Sequence, residues 1–126
     1  MATAILDFDK ALKVHLVLRQ GDHYERVFAV KKNGVDYDWA GVVDVILQVK
    51  KNKGTTTKII ELKESEGGIE IGTGYMTWNL GTDKTDVAYG DYSSLEVLLV
   101  FTDSKPKTWI DGDCKILQRG IQIGGE

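Results

Sequence analysis

Few residues in this chain could do chemistry. Its whole supply of imidazole and thiol is His15, His23 and Cys114. A zinc site needs three or four nitrogen or sulfur ligands, usually at recognisable spacings, and these three are scattered with no such spacing. Acid pairs at Asp7/Asp9, Asp36/Asp38 and Asp111/Asp113 could offer oxygens to calcium. None runs on into a loop that ends in a distant bidentate Glu, so they read as turn residues whose carboxylates bond their own backbone. We expect no metal.

Covalent catalysis finds no better material. The chain has no G-x-S-x-G elbow, and a serine triad would have to recruit one of two histidines. His15 alternates with core residues and reads as a solvated side chain, and His23 sits beside a turn. Cys114, between Asp113 and Lys115, reads as a small packed residue. Gly72-Thr73-Gly74 lacks the third glycine of a dinucleotide fingerprint. A carboxylate pair set by spatial proximity is compatible with any sequence, but no acid here sits in an apolar setting that would raise its pKa. These readings imply no enzyme, no cofactor and no catalytic residue.

Charge and composition narrow the partners. The 126 residues carry a net charge of −3, a poor match for nucleic acid or an anionic membrane. The one basic cluster, Lys50, Lys51, Lys53 and Lys58, surrounds a hairpin tip and lacks neighbouring aromatics for base stacking. Apolar runs such as Leu98-Leu99-Val100-Phe101 are far shorter than the ~20 residues of a membrane span. The opening residues lack a basic n-region and hold Asp7 and Asp9, which predicts a protein retained in the cytosol that makes it. One cysteine permits no internal disulfide. What remains is surface for protein partners. Of the large aromatics, Trp78 reads as core, whereas Trp39, in an irregular connection, and Trp109, near a strand break, are candidate interface anchors.

The elements that must position these residues are strands. Val, Ile and Thr together number 32 against 17 for Ala and Leu, and branching at Cβ favours a pleated surface over a helical turn. Residues 1–12 hold Ile5, Leu6, Phe8 and Leu12 without a clean period. They are expected to form an arm or short helix that docks on a neighbour. Val14, Leu16 and Leu18 then alternate with His15, Val17 and Arg19 as in a strand. A second strand covers Tyr24 to Lys32 and ends at Asn33-Gly34, a type I′ hairpin dipeptide. In the next, Val43, Val45, Leu47 and Val49 are predicted to face inward. Ile60 with Leu62, Met76 with Trp78 and Leu80, and Leu95 with Val97, Leu99 and Phe101 are the inward sets of later strands. Thr82 to Tyr89 could form a short helix, capped by Thr82 and ended by Gly90. Thr108 to Ile110 and Cys114 to Gln118 would close the sheet. Seven to nine short strands with regular turn signals indicate an all-β antiparallel sandwich or small barrel. The expected organisation is an arm over 1–12, one sandwich domain over 13–123 and a loose end over 124–126.

Leu18-Arg19-Gln20-Gly21-Asp22 resembles a motif of the N-terminal domain of upper-baseplate and tail-fibre proteins of tailed bacteriophages. In that family a strand ending R-Q-G-D is followed by an aromatic strand, an N-G or D-G hairpin and a D-L-T-G-like segment leading into alternating Val and Gln. Asn33-Gly34, Asp38-Trp39-Ala40-Gly41 and Val43 to Lys50 follow that order, although Trp39-Ala40 departs from Leu-Thr. Gly68-Ile69-Glu70-Ile71 and Gly90-Asp91-Tyr92 look like two further family strands. The resemblance covers about residues 14 to 120. It implies an immunoglobulin-like sandwich in a virion structural protein, an attachment module of tail, baseplate or fibre, made in the host cytoplasm. Its partners would be other virion proteins and further copies of itself, with neither nucleic acid nor membrane involved. The structural motif residues would be Arg19, Gln20, Gly21, Asp22, Asn33, Gly34, Asp38, Gly41, Gly90 and Tyr92. Physically, Gly21 supplies a turn free of Cβ, Asp22 could bond backbone amides, and Arg19 could pair with an acid on a neighbouring strand. The alternatives are a capsid decoration or head-fibre anchoring protein, and a carbohydrate-binding sandwich using Trp39 and Trp109 as sugar platforms. A small hydrolase is a further rival.

Overall fold

The computed structural model describes residues 4–7, 12–103 and 105–119, the first four by their backbone alone. The described chain forms two five-stranded sheets packed as a β-sandwich. The first sheet runs β1 (Ala4–Asp7), β3 (Tyr24–Lys32), β8 (Tyr75–Leu80), β7 (Ile69–Gly72), with β4 (Val35–Asp36) also paired to β3. The second runs β2 (Leu12–Arg19), β10 (Pro106–Leu117), β9 (Gly90–Phe101), β5 (Val42–Lys50), β6 (Ile60–Lys63). Beyond the strands lie a 3₁₀ turn, Glu64–Glu66, and one helical turn, α1 (Thr82–Thr85).

Between the sheets the alternating residues meet. Leu16, Leu18, Val45, Leu47, Val49, Ile60, Leu62, Met76, Trp78, Leu80, Leu95, Val97 and Leu99 are all buried, as their spacing predicts. Trp78 and Phe28 pack across β8 and β3 with ring centroids 4.6 Å apart, adding a tilted aromatic contact to the area they bury. Asn33 and Gly34 take φ of 53° and 78°, the double positive φ of a type I′ turn.

Several expectations fail for local physical reasons. Residues 4–7 are neither helix nor free arm but strand β1, in parallel register with Phe28 to Lys31 of β3. Of the other apolar residues assigned to the arm, Phe8 lies outside the described residues, and Leu12 opens β2, half-buried against the core. The sandwich is also not purely antiparallel, because β2 pairs parallel with β10 over eight residues. Val43 is 51% exposed, because the β5–β9 register slips between Val42 and Asp44 and the extra residue turns outward. Thr108 to Leu117 form one continuous strand rather than two, kinked by register shifts on either side of Ile110 to Gly112. Thr82 is the first helical residue rather than the cap, a place taken by Gly81, and Gly90 (φ 144°) opens β9 instead of ending α1.

Where β2 crosses β10 the strands approach so closely that a Cβ on Gly112 would lie 1.9 Å from the Val14 carbonyl oxygen. That oxygen is backbone and has nowhere to swing. Gly112→Ala should therefore destabilise the fold by about 1–3 kcal/mol, the usual cost of overpacking, while Gly54→Ala should change stability by less than about 0.5 kcal/mol. Urea unfolding midpoints of the two variants check this.

Candidate functional site

The R-Q-G-D corner is a knot that ties the end of β2 to α1 and to the end of β10. Gln20 reaches in three directions. Its amide donates to the Leu117 carbonyl (3.0 Å), its side-chain Nε2 to the Val87 carbonyl (2.9 Å), and its Oε1 accepts from the Arg119 amide (3.3 Å). Gly21, at φ 74°, donates to the Thr85 carbonyl (3.2 Å), and the buried Thr85 hydroxyl returns a 2.7 Å bond to the Asp22 carbonyl. The expected roles of the two charged residues are exchanged. Arg19 donates to the Gln118 carbonyl, and it is Arg119 that pairs with the Asp22 carboxylate. Every one of these contacts joins one segment of the chain to another, so the corner fixes the strand crossing.

The second motif stretch, Asp38 to Gly41, turns the chain from the first sheet to the second. Asp38 accepts from the Ala40 amide (3.0 Å), closing a local turn, and Trp39 and Gly41 both sit at positive φ, 60° and 80°. Trp39 can hold that conformation because its ring is locked. Its Nε1 donates to the Gly72 carbonyl (2.9 Å), and its ring meets Tyr37 at 5.1 Å and Trp109 at 5.7 Å, both edge-on. Trp39 and Trp109 are only 6% and 4% exposed. They are core residues, not interface anchors or sugar platforms. The slip between Thr108 and Ile110 places Trp109 in the bulge, and it lies buried beside Ile110. Tyr92 is likewise buried, its hydroxyl donating to the Ala88 carbonyl at 2.6 Å.

The candidate chemical groups do not converge. Cys114 points into the core at 2% exposure, whereas His15 stands on the outer face and pairs with Asp113 across β2 and β10. His23 is exposed beyond the R-Q-G-D corner. Among the described residues no group of three or more His, Cys, Asp or Glu is placed to hold a metal ion. Asp9 and the Asp7 side chain lie outside what the structure describes, and the other two acid pairs split up in the same way. Asp36 meets Lys31 at 2.8 Å, Asp38 caps its own turn, and Asp111 meets Lys53 at 3.0 Å. The hydrogen bond between Lys53 and Asp111 raises the lysine pKa and lowers the carboxylate's, the mark of an exposed ion pair. At Glu61 burial pulls the pKa upward but is outweighed by hydrogen bonds from Gln48 and Lys58, so the net direction is down. The basic hairpin is similarly engaged. Lys51 donates to the Asp91 carbonyl (2.9 Å) and lies over the Tyr92 ring, and Lys58 pairs with Glu61 (3.2 Å).

An open hollow of about 550 Å³ lies beside the Asn33-Gly34 hairpin, walled by Val35, Tyr37 and Phe101 and rimmed by Asp36 and Asp38. The surface also shows Val17, Val27, Val35, Val43, Tyr75 and Tyr89 to solvent. What the arrangement offers is edges, hairpin tips and scattered apolar side chains, which suit contact with another protein.

No family model matches the chain. In sequence it is similar to the bifunctional decalin synthase calF of Penicillium decumbens, 31% identical over 121 residues. That match takes in 90% of this chain but 18% of the synthase. In structure the class is an all-β sandwich module, and the fold is similar to a phage protein domain. It superposes on the N-terminal domain of phage TP901-1 ORF48 with a TM-score of 0.52 at 9% identity, over 91% of this chain and 94% of that one.

Burial pushes the Cys114 thiol pKa up to about 12, with the nearby Asp113 charge adding to it. Two outcomes follow from that burial. The folded protein should not react with a disulfide reagent near pH ~8, whereas the urea-unfolded protein should react fully. The folded thiol also keeps its proton where the unfolded one, near the ordinary value of 9.0, loses it. Stability should therefore be intact below about pH 9 and fall as pH rises towards 12, and Cys114→Ala should flatten that decline. Urea midpoints across this range check the sign.

Proposed function

We propose that this chain is a bacteriophage virion structural protein, an attachment module of the tail, baseplate or fibre that acts through protein–protein contacts. The observation that carries the reading is the backbone likeness to the ORF48 N-terminal domain, which extends over nearly the whole of both chains. The R-Q-G-D corner and the Asp38–Gly41 turn, which carried the sequence resemblance, support it by serving the fold with closed sets of internal bonds. The synthase match supports no catalytic reading, since it spans 18% of that protein and the imidazoles and thiol here face apart. A sugar-binding sandwich loses its platforms, because Trp39 and Trp109 are buried.

Mass spectrometry of gradient-purified particles should find the protein in stoichiometric amounts, and labelled particles imaged by cryo-electron microscopy should place it on tail or capsid. Its absence from particles that contain the other structural proteins would overturn the reading. Deleting residues 1–12 should lower incorporation, since it removes strand β1 and the first residue of β2. Unimpaired incorporation would show that this segment anchors nothing.

A further inference from the structure

We infer that the free edge of β2 docks an extended segment of another protein whose acidic side chains alternate with apolar ones. The inference rests on the reading of the chain as an attachment module and names the surface and the chemistry it would use. An unpaired strand edge is a ready template for another strand, and folded proteins usually blunt such edges with shortness, bulges, proline or a covering element. The other edges here show those devices. β1 and β7 have four residues each, and on β7 the Gly72 carbonyl is taken by the Trp39 indole. β6 also has four, and Lys84 from α1 donates to its Glu61 carbonyl at 3.2 Å.

β2 differs on each count. It runs eight residues, Leu12–Arg19, without proline. It pairs with β10 in unbroken register from Leu12 to Arg19, so no bulge twists it away. Among the described residues nothing pairs with its other side. Its outward side chains are Lys13, His15, Val17 and Arg19, and Val17 is 44% exposed at the middle of the edge. Inward lie Val14, Leu16 and Leu18.

The charge pattern chooses the occupant. β2 contains no acid, so a second copy pairing here in an antiparallel register centred on Leu16 would set Lys13 against Arg19 and offer neither a partner. On its paired side β2 already shows what suits it, because Asp111 lies opposite Lys13 and Asp113 opposite His15. An incoming strand that repeats this pattern would add main-chain hydrogen bonds along the edge, with acids beside Lys13 and His15 and apolar residues beside Leu16 and Leu18.

Hydrogen–deuterium exchange of the full chain tests this, using as probe a short synthetic peptide of alternating Glu and Val. With peptide in excess, amides of β2 should exchange about tenfold more slowly, while those of β6 and β7 stay unchanged. Lys13→Glu and Val17→Glu, which set like charges against the peptide's acids, should each abolish the effect, with thermal melts showing that both variants fold. A peptide with Lys in place of Glu should give no protection. Absence of protection, equal protection by the Lys peptide, or concentration-dependent dimers that protect β2 without any peptide would each overturn the inference. If the protein is found in particles yet β2 is not protected, the docking edge fails and the virion reading stands. Protection without incorporation has the opposite meaning.

Discussion

The parallel pairing of β2 with β10 is the constraint on which the other features depend. Parallel neighbours cannot be joined by a tight turn, and here the chain runs through almost the whole fold between them. β2 comes first in the second sheet and β10 last, and the seven strands between build all of the remaining sandwich but β1. The pairing works because Gly112 lets β10 close on the Val14 carbonyl, and because the Gln20–Arg119 corner locks the far end of the register. Loss of either would free the outer strand of the second sheet while leaving its β10–β9–β5–β6 part paired.

Much of this was legible in the sequence, and where it was not the reasons are local. Alternation finds the inward faces of β2, β5, β6, β8 and β9 because a period of two is what a half-buried strand imposes. It misplaces Val43 because a one-residue bulge reverses facing without changing composition. Trp109, near a strand break, gives no sign in sequence that it belongs to a buried bulge. Trp39 was unreadable for another reason. An indole at positive φ in a connection looks like a surface feature, until the Gly72 carbonyl and the Trp109 ring are seen to hold it. The glycine of Gly72-Thr73-Gly74 that failed as a phosphate loop turns out to be where that carbonyl comes from.

The candidate site was legible mainly as the lack of a constellation. The sequence shows which groups are scarce, but not which cations and anions meet. Arg19 and Arg119 are equivalent to a reader of the chain, and only the tertiary return of β10 decides that Arg119 takes Asp22. The same holds for His15 with Asp113 and Lys53 with Asp111, which lie far apart in sequence and meet across the second sheet. These pairs are solvated, so they set the surface pattern more than the stability.

The burial of all three indoles has an optical consequence. Trp39, Trp78 and Trp109 are shielded from water at 6%, 0% and 4% exposure, so their emission reports the state of the interior. Melting the sandwich would shift that emission to longer wavelength, but a partner settling on the rim would leave it nearly unchanged. A fluorescence titration that stays flat would therefore say little about whether this protein has found what it holds.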